Sequence, residues 1–313
     1  MSAGVSAEPL WQLSGVQIRR GTYAWPETPL TLSIGLGTTA VLGLSGAGKT
    51  SLLDLLVGFV DPSTGNIHGS CNGKRIAWVP QNHGLWTGHS VLDHLTLVGT
   101  SANDAARLLE QFDLTEKARV QADALSLGER ARLAVARALA QRSPVIVMDE
   151  PLAHVDYARA GKYWRVIREH LAQSGAAFVF ATHQPEIALA EAANAICLRA
   201  GAVVFQGPMS ALYHEPATEE LAAFLGPANW LSEIDAQNWL GLRLDRPRCL
   251  RPECLAITPD PSGAFTVQSS RFLGSHAEVQ LLDAAGTTRT FYHRPWMALP
   301  IGVRVRVNHL PHE

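Results

Sequence analysis

Apolar and polar positions follow two regimes along the chain, dividing near residue 225. In the first regime, β-type runs alternate with helical stretches. Residues 10–20 and 30–42 predict strands, broken by a loop containing Tyr23 and Trp25. Ser51-Leu-Leu-Asp-Leu-Leu-Val57 is an apolar helical run, and Asp61-Pro-Ser-Thr-Gly-Asn66 is a turn cluster. Ile76-Ala-Trp-Val79 predicts a short buried strand. Asn103 to Ala140, rich in Ala, Leu, Arg and Glu, predicts mostly helix. Pro144-Val-Ile-Val-Met148 and Ala176-Ala-Phe-Val-Phe-Ala181 are continuous apolar runs, the pattern of parallel strands buried on both faces. Strands alternating with helices predict a parallel α/β sheet. In the second regime, short alternating strands such as Phe265–Gln268, Ala277–Leu282 and Val303–Val307 are separated by Gly-, Pro- and Asp-rich turns. That pattern predicts a small all-β domain over 226–313, after an α/β domain over 1–225.

Composition narrows the class. The chain has 313 residues, 47% hydrophobic and 17% charged, with a net charge of −2. This is a globular balance without the basic field of a nucleic-acid binder. No apolar run approaches the ~18 residues of a membrane span. The N-terminus, Met1 to Pro9, lacks the charged and apolar regions of a signal peptide. Cys71, Cys197, Cys249 and Cys254 show no metal-site spacing and are expected to be free thiols in a reducing compartment.

Candidate chemistry begins at Gly43-Leu-Ser-Gly-Ala-Gly-Lys-Thr50, which fits the phosphate-loop pattern G-x-x-x-x-G-K-[ST] between a strand and a helix. Glycines let the backbone curl so that its N–H groups form an anion nest, and the helix N-terminus adds partial positive charge. The candidate nucleotide-binding set is Gly43, Ser45, Gly46, Ala47, Gly48, Lys49, Thr50 and Ser51. Lys49 is expected to reach the β- and γ-phosphates of ATP, and Thr50 to place its hydroxyl on Mg²⁺. The strand Val145–Met148 ends in Asp149-Glu150. Asp149 stands where a carboxylate can hold Mg²⁺, and Glu150 where one can orient an attacking water.

Leu125-Ser-Leu-Gly-Glu-Arg130 lies before that acidic strand. Here the chain resembles the ATP-binding cassette (ABC) ATPases, whose signature reads L-S-G-G-Q; Leu127 and Glu129 depart from it. The resemblance implies a P-loop NTPase fold with a helical subdomain at about 82–140. It also implies a head-to-tail dimer that sandwiches ATP between one subunit's phosphate loop and the other's signature. Ser126 and Gly128 would then contact the γ-phosphate. Val79-Pro-Gln81 resembles the Q-loop, whose glutamine senses Mg²⁺ and the permease. Pro151-Leu-Ala-His-Val-Asp156 resembles the D-loop at the dimer seam, with Asp156 in the site. Ala181-Thr-His183 resembles the switch-histidine segment, so the catalytic set is Lys49, Glu150 and His183. An upstream aromatic stacks on adenine in this family. Tyr23 is favoured over Trp25 by its distance from the following strand.

Three stretches resemble importers within the family: Gln81 to Val91, Leu212-Tyr-His-Glu-Pro216 followed by Phe224 to Trp230, and the motifs from Leu250 to Val303. They point to the sugar, ferric-ion and polyamine branch and to a C-terminal, OB-like TOBE domain. The implied partners are a second copy of the chain, integral-membrane permease subunits and an external solute-binding protein, at the cytoplasmic face of the inner membrane. The alternative is a soluble ABC ATPase without a permease. An OB-like barrel can bind oligonucleotides, but no basic and aromatic platform accompanies it. Arg248, Arg251, Arg289 and Arg294 read as scattered surface charges.

Overall fold

The computed structural model describes residues 8–20, 23–71, 73–294 and 297–310, with only the backbone at Arg20, Tyr23 and Tyr157. The chain divides into two compact units at Met209/Ser210.

In the first unit the chain order is β1 (Trp11–Arg20), β2 (Tyr23–Ile34), β3 (Thr38–Leu42), α1 (Lys49–Leu56), β4 (Thr64–His68), β5 (Ile76–Val79), α2 (Val91–Thr96) and α3 (Ala102–Gln111). Then come α4 (Leu127–Ala140), β6 (Val145–Asp149), α5 (Tyr157–Ser174), β7 (Ala177–Thr182), α6 (Pro185–Glu191), β8 (Asn194–Arg199) and β9 (Ala202–Pro208). The main sheet runs β5-β6-β7-β3-β8-β9. All its pairs are parallel except β8–β9. Every residue of β6 and β7 is buried, as their unbroken apolar runs require of central strands. This order sets the C-terminal ends of β3, β6 and β7 side by side, which is where the candidate residues lie.

Three details differ from the sequence expectation. The loop containing Tyr23 and Trp25 is part of β2, the edge strand of a smaller antiparallel sheet ordered β2-β1-β4. Pro26 and Pro29 read as strand breakers, yet an edge strand tolerates missing donors. Gln17 Nε2 also donates to the carbonyls of Pro26 (2.9 Å) and Glu27 (3.1 Å). The predicted strand 30–42 is two strands in different sheets, because the chain turns between Ile34 and Thr38, with Gly37 at φ 94°. The helical stretch is likewise divided. Two single 3₁₀ turns, Thr115–Lys117 and Ala122–Ala124, separate α3 from α4.

The second unit contains α7 (Met209–His214, which straddles the division), α8 (Glu219–Phe224), β10 (Asn229–Leu231), α9 (Glu233–Leu240), β11 (Arg248–Leu250) and β12 (Leu255–Pro259). It ends with β13 (Phe265–Phe272), β14 (Ala277–Leu282), β15 (Thr288–His293) and β16 (Arg304–His309). β12-β16-β13-β14-β15 form an antiparallel sheet. β14 alternates buried and half-buried residues along its length. Trp239 of α9 stacks on Phe265 at 4.8 Å and meets Phe291 edge-on at 5.5 Å, closing the core.

The division lies upstream of the boundary expected near 225, and Arg251 accounts for it. Its guanidinium donates to the carbonyls of Tyr213 (2.9 Å), Ala222 (2.9 Å), Gly226 (3.2 Å) and Pro227 (3.2 Å). These bonds tie α7 and α8 to the β-rich unit. Arg251 is therefore no surface charge, being 1% exposed. Arg289 is also engaged, with Asp235 at 2.7 Å. All four cysteines are buried thiols. Among the described residues, no helix is long and apolar enough to cross a membrane.

Candidate active site

β3 delivers the chain into a loop whose conformation glycine makes possible. Gly43, Gly46 and Gly48 have φ of 154°, 80° and 98°, values that L side chains rarely adopt. Two of them also permit close approach. A Cβ on Gly43 would stand 2.5 Å from the Leu198 carbonyl oxygen, and one on Gly48 would stand 2.2 Å from Trp25 Nε1. Gly48 caps α1 without a side-chain bond, leaving the helix's first N–H groups free for an anion. Lys49 Nζ folds back over the loop and donates to the carbonyls of Gly43 (2.9 Å) and Leu44 (3.3 Å).

β6 ends beside this loop. Thr50 Oγ1 donates to Asp149 Oδ2 at 2.6 Å. Burial pushes the Asp149 carboxyl above its usual range, opposed by the Thr50 bond and the Lys49 cation. Glu150 turns into the left-handed region at φ 51° and is pinned by its N–H to the Ala181 carbonyl at 3.0 Å. Such a backbone costs about 1–3 kcal/mol and persists where its surroundings enforce it. It aims the carboxylate at β7, where His183 Nδ1 lies 2.8 Å from Glu150 Oε1. Nδ1–H donates in that geometry, leaving Nε2 free.

One cleft of about 450 Å³ gathers Ser45, Gly46, Gly48, Lys49, Thr50 and Ser51 with Gln81, Asp149, Glu150 and His183. Gly43 and Ala47 shape the loop from behind. Trp25 lines the cleft, whereas the Tyr23 side chain lies outside the described residues. Ser126, Gly128 and Asp156 do not join this cleft. They share a separate groove of about 370 Å³. There Ser126 caps α4 in a reciprocal box: its Oγ accepts from Glu129 N at 3.3 Å, and Glu129 Oε2 accepts from Ser126 N at 2.8 Å. Glu129 thus closes a box that a glutamine at the same place would also close. Gly128 is sterically required, because a Cβ would stand 2.8 Å from the His154 carbonyl oxygen. Leu127 is 56% exposed.

Two histidines of the cleft were not among the predicted site residues. His83 and His154 line the cleft, and their rings meet edge-on at 6.0 Å. Burial lowers the His83 pKa, with His154 and Arg130 adding to the effect. Arg137 holds this stretch by donating to the carbonyls of Gly84 (2.6 Å) and His83 (3.1 Å). His83 lay within the Gln81–Val91 stretch and His154 within the Pro151–Asp156 stretch, but neither side chain was singled out as a site residue.

A phosphate loop, a buried carboxylate bonded to the loop threonine, and a carboxylate–imidazole pair at the adjoining strand end together define a P-loop nucleotide hydrolase. Residues 28–153 match the ABC transporter family. Two curated relatives extend the likeness. The Fe(3+) ions import ATP-binding protein FbpC 2 of Pectobacterium atrosepticum is 33% identical over 70% of this chain and 72% of its own. FbpC of Yersinia enterocolitica is 31% identical over 72% and 73%. The chain belongs to the ABC transporter family and is an ABC ATPase. Solved structures share the fold. An ATP-binding subunit of an ABC transporter has a TM-score of 0.58 at 21% identity, covering 65% of this chain and 91% of its own. A dimeric cassette in a post-hydrolysis state bound to ADP and Pi has a TM-score of 0.57 at 22% identity, covering 64% and 98%.

Proposed function

We propose that this chain is the ATP-hydrolysing subunit of a membrane importer, working as a head-to-tail dimer at the cytoplasmic face and driving permease subunits supplied by a solute-binding protein. Ferric ion is the favoured cargo, because the FbpC relatives are named for its import. The observation that carries the reading is the Glu150–His183 pair at 2.8 Å beside the phosphate loop. Lys49 and the loop N–H groups bind and orient the phosphates. Glu150 accepts a proton from the attacking water, and His183 fixes its carboxylate.

An all-oxygen donor set supports Mg²⁺. The Thr50 hydroxyl, the Asp149 carboxylate and the Gln81 amide line the cleft. The buried Asp149 carboxyl, raised by desolvation, would be offset by a divalent cation. Bound there, Mg²⁺ would neutralise phosphate charge. Ser126, Gly128 and Asp156 would meet the nucleotide of the opposing subunit, and Tyr23 would stack on adenine. The β-rich unit, read as a TOBE domain, would support the dimer.

Glu150→Gln tests the core of this reading. The variant should bind ATP yet hydrolyse it about 10²–10⁴-fold more slowly, and light scattering should detect an ATP-stabilised dimer. Normal turnover would remove Glu150 from its role. Co-purification with an integral-membrane partner tests the importer assignment.

A further inference from the structure

The groove beside the signature carries contacts that the nucleotide cleft does not use. Asp113 follows the last turn of α3 at φ 53°. Its carboxylate accepts from Lys162 Nζ at 2.5 Å, Tyr163 OH at 2.7 Å and Arg159 Nη2 at 3.1 Å. These donors lie three and four residues apart on one face of α5. The main chain at the same corner is held from the other side. Arg132 Nη1 donates to the carbonyls of Phe112 (2.6 Å) and Asp113 (2.9 Å), while its Nε donates to Gly128 O at 3.3 Å. The Arg132 guanidinium sits 5.5 Å from the centre of the Tyr163 ring. Arg132 is 8% exposed and Tyr163 fully buried.

One corner therefore grips two helices. Arg132 belongs to α4, one turn beyond Ser126 and Gly128. Arg159 and Tyr163 belong to α5, whose first residue follows Asp156. Arg132, Arg159 and Tyr163 themselves line the groove that holds Ser126, Gly128 and Asp156. A purely stabilising role would be a poor use of these charges. The Lys162 and Arg159 side chains are 50% and 54% exposed, and exposed ion pairs contribute little to global stability. Their geometric effect is larger, since three donors on one carboxylate fix a distance and an angle. The hydrogen bond from Lys162, opposed by partial burial and joined by Tyr163 and Arg159, holds the Asp113 carboxyl down at about 2.

We infer that Asp113 is a positioning residue that, with Arg132, sets the signature edge Ser126–Gly128 against Asp156, so that both meet the nucleotide of the opposing subunit together. This rests on the dimer proposed above. Asp113 touches no nucleotide. It acts through the placement of α4 and α5.

The test uses the full chain carrying Glu150→Gln, compared with the same chain carrying Asp113→Asn or Tyr163→Phe in addition. The ATP concentration giving half-maximal dimer should rise about 5- to 30-fold with Asp113→Asn, the range for loss of one or two kcal/mol, and less with Tyr163→Phe. Asp113→Glu should recover part of the loss. ADP affinity, read by calorimetry at the phosphate loop, should stay within about twofold, because Asp113 lies outside that cleft. Unchanged ATP-driven dimerisation in Asp113→Asn, with or without a lower melting temperature, overturns the inference. If the Glu150→Gln parent stays monomeric in ATP, the dimer reading fails and takes the inference with it. That outcome is distinct from a parent that dimerises alongside variants that match it.

Discussion

Replacing Gly48 by alanine asks how far the phosphate loop depends on the indole beneath it. The added Cβ would sit 2.2 Å from Trp25 Nε1 and 2.4 Å from Cε2 and Cζ2, more than an ångström inside the ~3.5 Å of ordinary contact. Trp25 has little room to retreat. It is 7% exposed, and Gly201 also packs close against it, so that a Cβ there would stand 2.9 Å from Nε1. Gly48 also sits at φ 98°. Left-handed backbone costs a non-glycine residue about 1–2 kcal/mol, and overpacking adds about 1–3 kcal/mol. If the loop shifts to relieve the clash, most of that sum is lost from nucleotide binding. ATP affinity should fall at least about 30-fold, measured by calorimetry. A double-mutant cycle with Trp25→Ala separates the two parts. Removing the indole relieves the steric share and leaves the backbone share of about 1–2 kcal/mol. Wild-type affinity in Gly48→Ala, or strict additivity in the cycle, would refute the argument.

The other predictions concern separate parts of the chain. Arg251→Met should destabilise the β-rich unit by roughly 2–5 kcal/mol, because four carbonyls, one buried and three partly buried, lose a donor that is itself 1% exposed; faster proteolysis within α7 and α8 would report it. Leu127→Gly should preserve turnover, since Leu127 is 56% exposed and packs no core; a collapse of the steady-state rate would show an unrecognised contact. Burial lowers His293 from 6.5 to about 4, so the unfolded chain takes up a proton that the folded chain refuses. Stability should be level above about pH 6.5 and fall by about 3 kcal/mol toward pH 4. Urea midpoints across that range check this, and His293→Phe should flatten the slope.

What could be read in advance follows the physics of each region. The phosphate loop and the acidic end of β6 were legible because phosphate chemistry demands glycines, a lysine and carboxylates at fixed places in a strand–loop–helix frame, whereas His183 entered only through the family resemblance of Ala181-Thr-His183. Buried β6 and β7 were legible because a strand covered on both faces must be apolar throughout. The path of β2 was not, since Pro26 and Pro29 argue locally for a loop and only the strand's edge position permits them. Helices α7 to α9 span six to eight residues, too few for a periodic signal. The capping boxes of α2 and α9, Ser90 with Asp93 and Ser232 with Asp235, were nevertheless on the page as a serine three residues before an aspartate. Arg251 looked like surface because its partners are backbone carbonyls, which leave no mark in sequence. The His83–His154 contact joins two loops that no spacing rule connects.

Glu129 alters the electrostatics of the surface on which it sits. The Ser126 N–H bond holds its carboxyl below the usual range, so a full negative charge stands at the start of α4 where the family pattern has a neutral amide. The helix dipole absorbs part of it, and Lys117 Nζ lies only 3.9 Å away. The remainder faces the groove that Glu129 lines. In the proposed dimer this charge is a brake on closure, weakening the pull on a triphosphate without touching the loop that binds it. Salt would release such a brake, because screening weakens a repulsion between exposed charges as readily as an attraction. An ATP-driven association that tightens as ionic strength rises from low values, and loses that trend in Glu129→Gln, would be the signature of a closure equilibrium opposed by a single carboxylate.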